Sequence, residues 1–175
     1  MKFSIQPNLK NAKATLRPLE EDDFEALYQT ASDPLIWSQH PNKTRYQRDV
    51  FKVFFEGAMK SKGAFIIKDA HTHEIAGSTR YYDYDPVKKL ILIGYTFYAT
   101  KYWGTGLNLS VKKTMLDYIF QFVNIVHFHI GANNVRSQIA ITKLGAKKIG
   151  EINVAYFGET PAINHIYQIE KGEWK

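Results

Sequence analysis

The chain predicts an α/β (α+β) fold, a mixed sheet of seven strands with helices packed on it. Three observations carry that reading. Apolar residues recur at helical spacing in four segments, β-branched and aromatic runs fill the stretches between them, and the middle of the chain holds three such runs in a row separated by turns. The order is β-α-α-β-β-β-α-β-α-β-β over 175 residues, enough for one well-buried core and too few for two ordinary domains. Residues 1–175 show no repeat, linker or low-complexity tract and are read as a single domain.

Ala14 to Leu19 reads as the first strand, ended by Pro18. Glu20 to Gln29 reads as a short helix, its acidic residues gathered in the first turn where the helix dipole favours them. Thr44 and Gln47 have the spacing of a capping box ahead of Val50, Phe51, Phe54, Phe55 and Met59, a helix expected to stop near Gly63. Ala64–Lys68, Glu74–Tyr84 and Leu90–Ala99 form the expected antiparallel meander. From Leu107 the helical period returns. Val111, Met115, Tyr118, Ile119 and Phe122 share one face, and Lys112, Lys113, Asp117 and Gln121 are expected on the solvated one. Ile125–Ile130 is a strand, Asn134 caps a short helix that Gly145 ends in a left-handed turn, and Ala146–Val154 and Ile163–Glu170 close the sheet.

Composition narrows the function. With 45% apolar and 23% charged residues the chain is an ordinary globular mixture, and a formal net charge of +6 favours anionic partners. No apolar run approaches the ~20 residues of a spanning helix, and the lysine-bearing first residues lack the apolar core of a signal peptide, so no membrane role and a cytoplasmic location are expected. The absence of cysteine removes disulfides, thiolate metal sites and a cysteine acyl-enzyme. His71-x-His73 and His127-x-His129 have a spacing that zinc can use but no third ligand beside them, so no metal is expected. The basic residues are scattered rather than striped and no nucleic-acid-binding signature appears, so no nucleic acid partner is expected.

The sharpest local feature is a strand, then Lys101-Tyr-Trp-Gly104-Thr-Gly106-Leu-Asn108, then an amphipathic helix. Glycines let the backbone approach a phosphate, and the unpaired N–H groups of a first helical turn point at it. Leu107-Asn108 breaks a P-loop, and Leu109 stands where a dinucleotide fingerprint needs a third glycine or alanine. An ordinary tight turn would have the same glycines.

Together with Gly94-Tyr95-Thr96-Phe97 before the loop, and Asn134, Ser137, Leu144, Gly145 and Ala146 after it, this stretch resembles the GCN5-related N-acetyltransferases (the GNAT family), most closely the ribosomal-protein N-terminal acetyltransferase-like subgroup. Leu16-Arg17-Pro18-Leu19 with acidic residues behind it resembles the family's first strand and helix, so the likeness covers nearly the whole chain. It implies a mostly antiparallel sheet with a central splay, and acetyl-CoA as co-substrate lying in the gap. Its pantetheine arm would run along Tyr95, Thr96 and Phe97, where a backbone N–H polarises the thioester carbonyl. Its diphosphate would sit on the amides of Trp103, Gly104, Thr105, Gly106 and Leu107, with Asn108 beginning the supporting helix. Asn134 would bond the arm, and Ser137 would protonate the departing thiolate; the alternative for Ser137 is a helix serine bonded one turn back. The acceptor would be a primary amine, on a protein N-terminus or a small molecule, attacking the thioester directly in a ternary complex. The base is left open among Asp83, Asp85, His40, His127 and Tyr167, and Trp37, His40 and the Tyr81–Asp85 stretch are candidates to rim an acceptor pocket. The other-class alternative is a catalytically silent acyl-CoA-binding module.

Overall fold

In the computed structural model, which describes residues 3–174, one sheet runs through the protein. In chain order the elements are β1 (Leu9–Lys10), β2 (Ala14–Pro18), α1 (Phe24–Ala31), α2 (Pro34–Trp37), α3 (Arg48–Ser61), β3 (Ala64–Asp69), β4 (Ile75–Asp85), β5 (Leu90–Tyr98), α4 (Leu107–Ile119), β6 (Ile125–Gly131), α5 (Val135–Thr142), β7 (Lys147–Val154) and β8 (Ala162–Glu170). The eight strands lie in the order β1-β2-β3-β4-β5-β6-β8-β7, and only β5 and β6 run parallel. The sheet thus has one strand more than expected: β1, two residues long, pairs with β2. It is too short to show an alternating pattern.

Each face of the sheet is covered. On one side α4 and α5 bury Val111, Met115, Ile119 and Ile141 against Leu16, Phe65, Ile67, Ile93, Val126 and Phe128. On the other, α1–α3 bury Leu27, Ala31, Phe51, Phe54 and Phe55 against Leu19, Ile66 and Phe97. No described helix is long and apolar enough to cross a membrane.

Two helix ends differ from expectation. Thr44 lies in a turn and Gln47 is the N-cap of α3, with no side-chain cap bond, so there is no capping box there. At the other end Lys62, not Gly63, takes the left-handed conformation (φ 50°). Gly63 is needed for space instead, since a Cβ would meet the Tyr81 carbonyl oxygen at 2.0 Å. By contrast α5 ends as expected: Gly145 has φ 93°, and the amides of Gly145 and Ala146 return to the carbonyls of Thr142 and Ile141 in a Schellman motif.

The register positions the site. β5 pairs with β6 only over Leu90–Leu92 against Ile125–His127, and beyond that the strands part. On its other edge β5 bulges: Arg80 faces Gly94 but Ser78 faces Phe97, so Tyr95 and Thr96 together oppose Thr79. Tyr95 carries the strain, with φ at 51°.

Candidate active site

The gap between β5 and β6 opens into a cavity of about 720 Å³ that runs from the glycine loop, past the bulge, to the aromatic side chains below α2. Its walls include Tyr95, Thr96, Phe97, Trp103, Gly104, Gly106, Asn108, Asn134 and Ser137. Thr105 and Leu107 are not in the lining.

The loop's amides divide into two sets. Trp103 N–H donates to the Thr100 carbonyl, Thr105 N–H to that of Tyr102, and Leu107 N–H to the Thr105 hydroxyl. Those three amides, expected at a diphosphate, are therefore occupied. The amides of Gly104, Gly106, Asn108 and Leu109 have no partner among the described residues. Both glycines have positive φ, 74° and 80°, the conformation that turns those N–H groups outward and that a side chain resists. Lys13 donates to the Thr105 carbonyl (2.9 Å), bringing a cation beside Gly106. Lys101 turns away to pair with Glu74 at 2.8 Å.

Below the loop, three buried polar atoms lack any partner: the hydroxyls of Tyr98 and Tyr102 and Oδ1 of Asn108, all on residues of the cavity wall. Beside them lies Lys112, expected on a solvated face but only 2% exposed. Its Nζ donates to the hydroxyls of Thr79 (2.8 Å) and Thr96 (2.7 Å), with no carboxylate among its partners. Burial pushes its pKa down to about 7. A lysine at helical spacing for the polar side reads as solvated; what turns it inward is the widening of the bulge, which leaves two hydroxyls to receive it.

Asn134 caps α5, its Oδ1 accepting from Ser137 N–H at 3.2 Å, which leaves its amide nitrogen for a ligand. The Ser137 hydroxyl makes no bond within the described residues, so the helix-serine alternative is not what the structure shows.

The far half of the cavity is aromatic. Tyr82, Tyr95 and Tyr156 stand edge to face, at centroid distances of 5.0 Å (Tyr82–Tyr95) and 5.5 Å (Tyr95–Tyr156). Trp37 and His40 close the side under α2. Arg45, 1% exposed, ion-pairs with Glu159 and lies 4.5 Å from the Phe54 ring centroid. Of the Tyr81–Asp85 stretch, Tyr82 borders the cavity, Tyr81 is core with its hydroxyl on the Met115 carbonyl (2.6 Å), and Asp83 and Asp85 sit at the solvated end of the hairpin.

The base candidates fare poorly. Asp83, Asp85, His127 and Tyr167 are outside the cavity lining; His127 bonds Gln168 (2.8 Å) and Tyr167 donates to Gln138 (3.2 Å). His40 is in the wall, but Asn42 N–H donates to its Nδ1 and Arg45 faces its Nε2, and burial holds its pKa well below the usual range. The ring that does face the cavity is His129, which sequence reasoning noticed only as half of a His-x-His pair. Its strand phase was the available signal: it follows His127 by two residues, past the point where the strands separate. Among the described residues no group of three or more His, Asp or Glu could hold a metal ion.

A family model, the acetyltransferase (GNAT) domain, matches residues 13–147. The chain belongs to the GNAT acetyltransferase family. It is accordingly an acyltransferase, and the splayed sheet is the GNAT fold. A GCN5-related N-acetyltransferase from Brucella melitensis has a similar structure with TM-score 0.83 at 16% identity, the match covering 97% of this chain and 80% of that one. An acetyltransferase (GNAT family) from Bacillus anthracis gives TM-score 0.76 at 19% identity, covering 95% and 100%. Spermidine N-acetyltransferase from Vibrio cholerae, in complex with CoA and spermine, gives 0.70 at 16% identity, covering 93% and 98%. At these identities the likeness is one of fold. No curated protein matches the sequence.

Proposed function

We propose that this GNAT domain is an acetyl-CoA-dependent N-acetyltransferase that acylates a primary amine, on a small molecule or a protein N-terminus, with both substrates bound at once. The observation that carries it is continuity. One cavity joins the unpartnered amides of Gly104, Gly106, Asn108 and Leu109 to the unpaired edge of β5 and on to the aromatic half. A coenzyme whose pantetheine arm joins a diphosphate to a thioester fits that sequence of groups.

In this reading the loop amides and the first turn of α4 bind the diphosphate. Residues Tyr95–Tyr98 pair with the pantetheine arm. Asn134 donates to the arm from its amide nitrogen. A backbone N–H at the bulge faces the acyl oxygen, a contribution of ~3 kcal/mol where such donors have been removed. Bound acetyl-CoA supplies an activated acyl group. The protein aligns the amine with it, excludes water by its aromatic wall, and delivers a proton from Ser137 to the leaving sulfur. The spermine bound to the Vibrio cholerae neighbour illustrates one class of amine that such a site takes. The lack of cysteine suits a reducing compartment such as the cytoplasm.

The test is calorimetry with acetyl-CoA followed by thiol release with a panel of primary amines. Binding with amine-dependent thiol release is expected. Binding without release from any amine would leave a silent acyl-CoA module, and no binding would remove the reading altogether.

A further inference from the structure

His129 stands on β6 two residues beyond His127, the last residue of that strand to pair with β5. Side chains alternate along a strand, so it lies on the face opposite Phe128 and Ile130, beside Tyr156, and it lines the cavity there. Its Nδ1 lies 2.8 Å from the Tyr156 hydroxyl, and its Nε2 has no partner among the described residues. Tyr156 is itself held edge-on by the rings of Tyr95 and Tyr82, at 5.5 and 6.4 Å. The titratable groups beside the imidazole are Tyr156, before β8, and His127 on its own strand, with Tyr82 on β4 and Tyr95 on β5 behind Tyr156. Burial, with a smaller push from His127, lowers the His129 pKa to about 4. The ring is neutral at physiological pH and has a lone pair to offer.

We infer that His129 is the catalytic base: its Nε2 takes the proton that the acceptor nitrogen sheds, and Tyr156 is the positioning residue that fixes its tautomer. This rests on the acetyl-transfer reading above. Nδ1–H donates to the Tyr156 oxygen, which leaves the lone pair on Nε2 facing the amine. As the nitrogen bonds to the acyl carbon it gives up its own lone pair, and its protons become far more acidic than those of a free ammonium. One of them passes to Nε2. The C–S bond breaks, the thiolate takes the Ser137 hydroxyl proton, and solvent returns the proton from His129 to Ser137, so the sum is amine plus thioester to amide plus thiol. So weak a base does not deprotonate a free ammonium. The acceptor therefore enters as free amine, and turnover climbs with pH toward the amine's own pKa.

The experiment compares wild type, His129→Gln, His129→Ala and Tyr156→Phe in thiol release with acetyl-CoA and a panel of a polyamine, an aminoglycoside and a peptide with a free N-terminus. Calorimetry with acetyl-CoA runs alongside as the control for folding. His129→Gln is expected to bind the coenzyme as wild type does and to lose ~100-fold or more in kcat. Added imidazole should restore part of the loss in His129→Ala, which a merely structural role would not allow. Tyr156→Phe should lose about tenfold. In the free protein, ¹⁵N NMR of the ring should show Nε2 unprotonated in wild type, a preference that weakens in Tyr156→Phe. An active wild type with His129→Gln within about threefold of it overturns this inference alone, as does a ring whose unprotonated nitrogen is Nδ1. A wild type that binds acetyl-CoA yet transfers to no amine overturns the proposed function, and this inference with it.

Discussion

The two halves of the cavity are made of different material. The half proposed for the coenzyme is mostly backbone: unpartnered amides at a glycine turn, an open strand edge and a helix start, within residues 94–109. The half proposed for the acceptor is side chains from five separate stretches, Trp37, Arg45, Tyr82, His129 and Tyr156 among them. Backbone sites need only glycines and strand-to-helix order, so one fold can keep them while the rest of the sequence drifts. Side-chain sites are free to change with the acceptor.

The largest effect is expected where the backbone half is spoiled. Gly104→Val places a side chain where the protein has nothing within 4 Å but where φ is 74°. The chain should stay folded and lose acetyl-CoA affinity by about 100-fold, or ~2.8 kcal/mol, in calorimetry. Affinity equal to wild type would detach the loop from the coenzyme. Next comes Ser137→Ala, at the boundary between the halves. It should lower kcat by about 100-fold, the low end of the range for one proton donor, and leave coenzyme affinity unchanged. Unchanged turnover would mean that the thiolate is protonated from elsewhere.

The acceptor half is sharpened by Glu159→Gln, which leaves Arg45 buried without its anionic partner. Removing one member of a buried pair costs ~3 kcal/mol, so the midpoint of thermal unfolding should fall by several degrees; no change would show that Arg45 is neutralised by other means.

The smallest effect belongs to Lys112. Its folded-state pKa of about 7 lies below the ordinary 10.5, so the folded protein resists charging it. The unfolded chain binds the proton between those two values and the folded one does not, so this group's contribution makes stability rise with pH from about 7 to 10.5. Lys112→Met should raise Tm by ~2–4 °C at pH 6, where a gain of ~1 kcal/mol corresponds to that shift. It should also flatten the rise in stability above pH 7; a lowered Tm in the ligand-free protein would show that the two threonine bonds outweigh the burial of the charge.

The difference between the halves also explains what could be read from the chain. Strand and helix order followed from hydrophobic period except for two short elements, β1 and α2, and the glycine loop showed because φ above zero demands glycine at residues 104 and 106. Asn134 and Gly145 were visible as cap residues for the same reason, a local one. Which amides stayed free was not legible, because it depends on the Thr105 hydroxyl reaching back to Leu107. Lys112 misled because its neighbours at 111 and 113 say nothing about a bulge on β5. His129 was hidden because its meaning depends on where β6 leaves β5, a tertiary event, and on Tyr156, which is 27 residues away.

The most direct measurement is a crystal structure with acetyl-CoA bound. A diphosphate is expected on the amides of Gly104, Gly106 and Asn108, with the pantetheine arm along the open edge of β5 and the acyl carbon between Tyr95 and His129. Coenzyme bound outside the gap between β5 and β6, with those amides still bare, would contradict it.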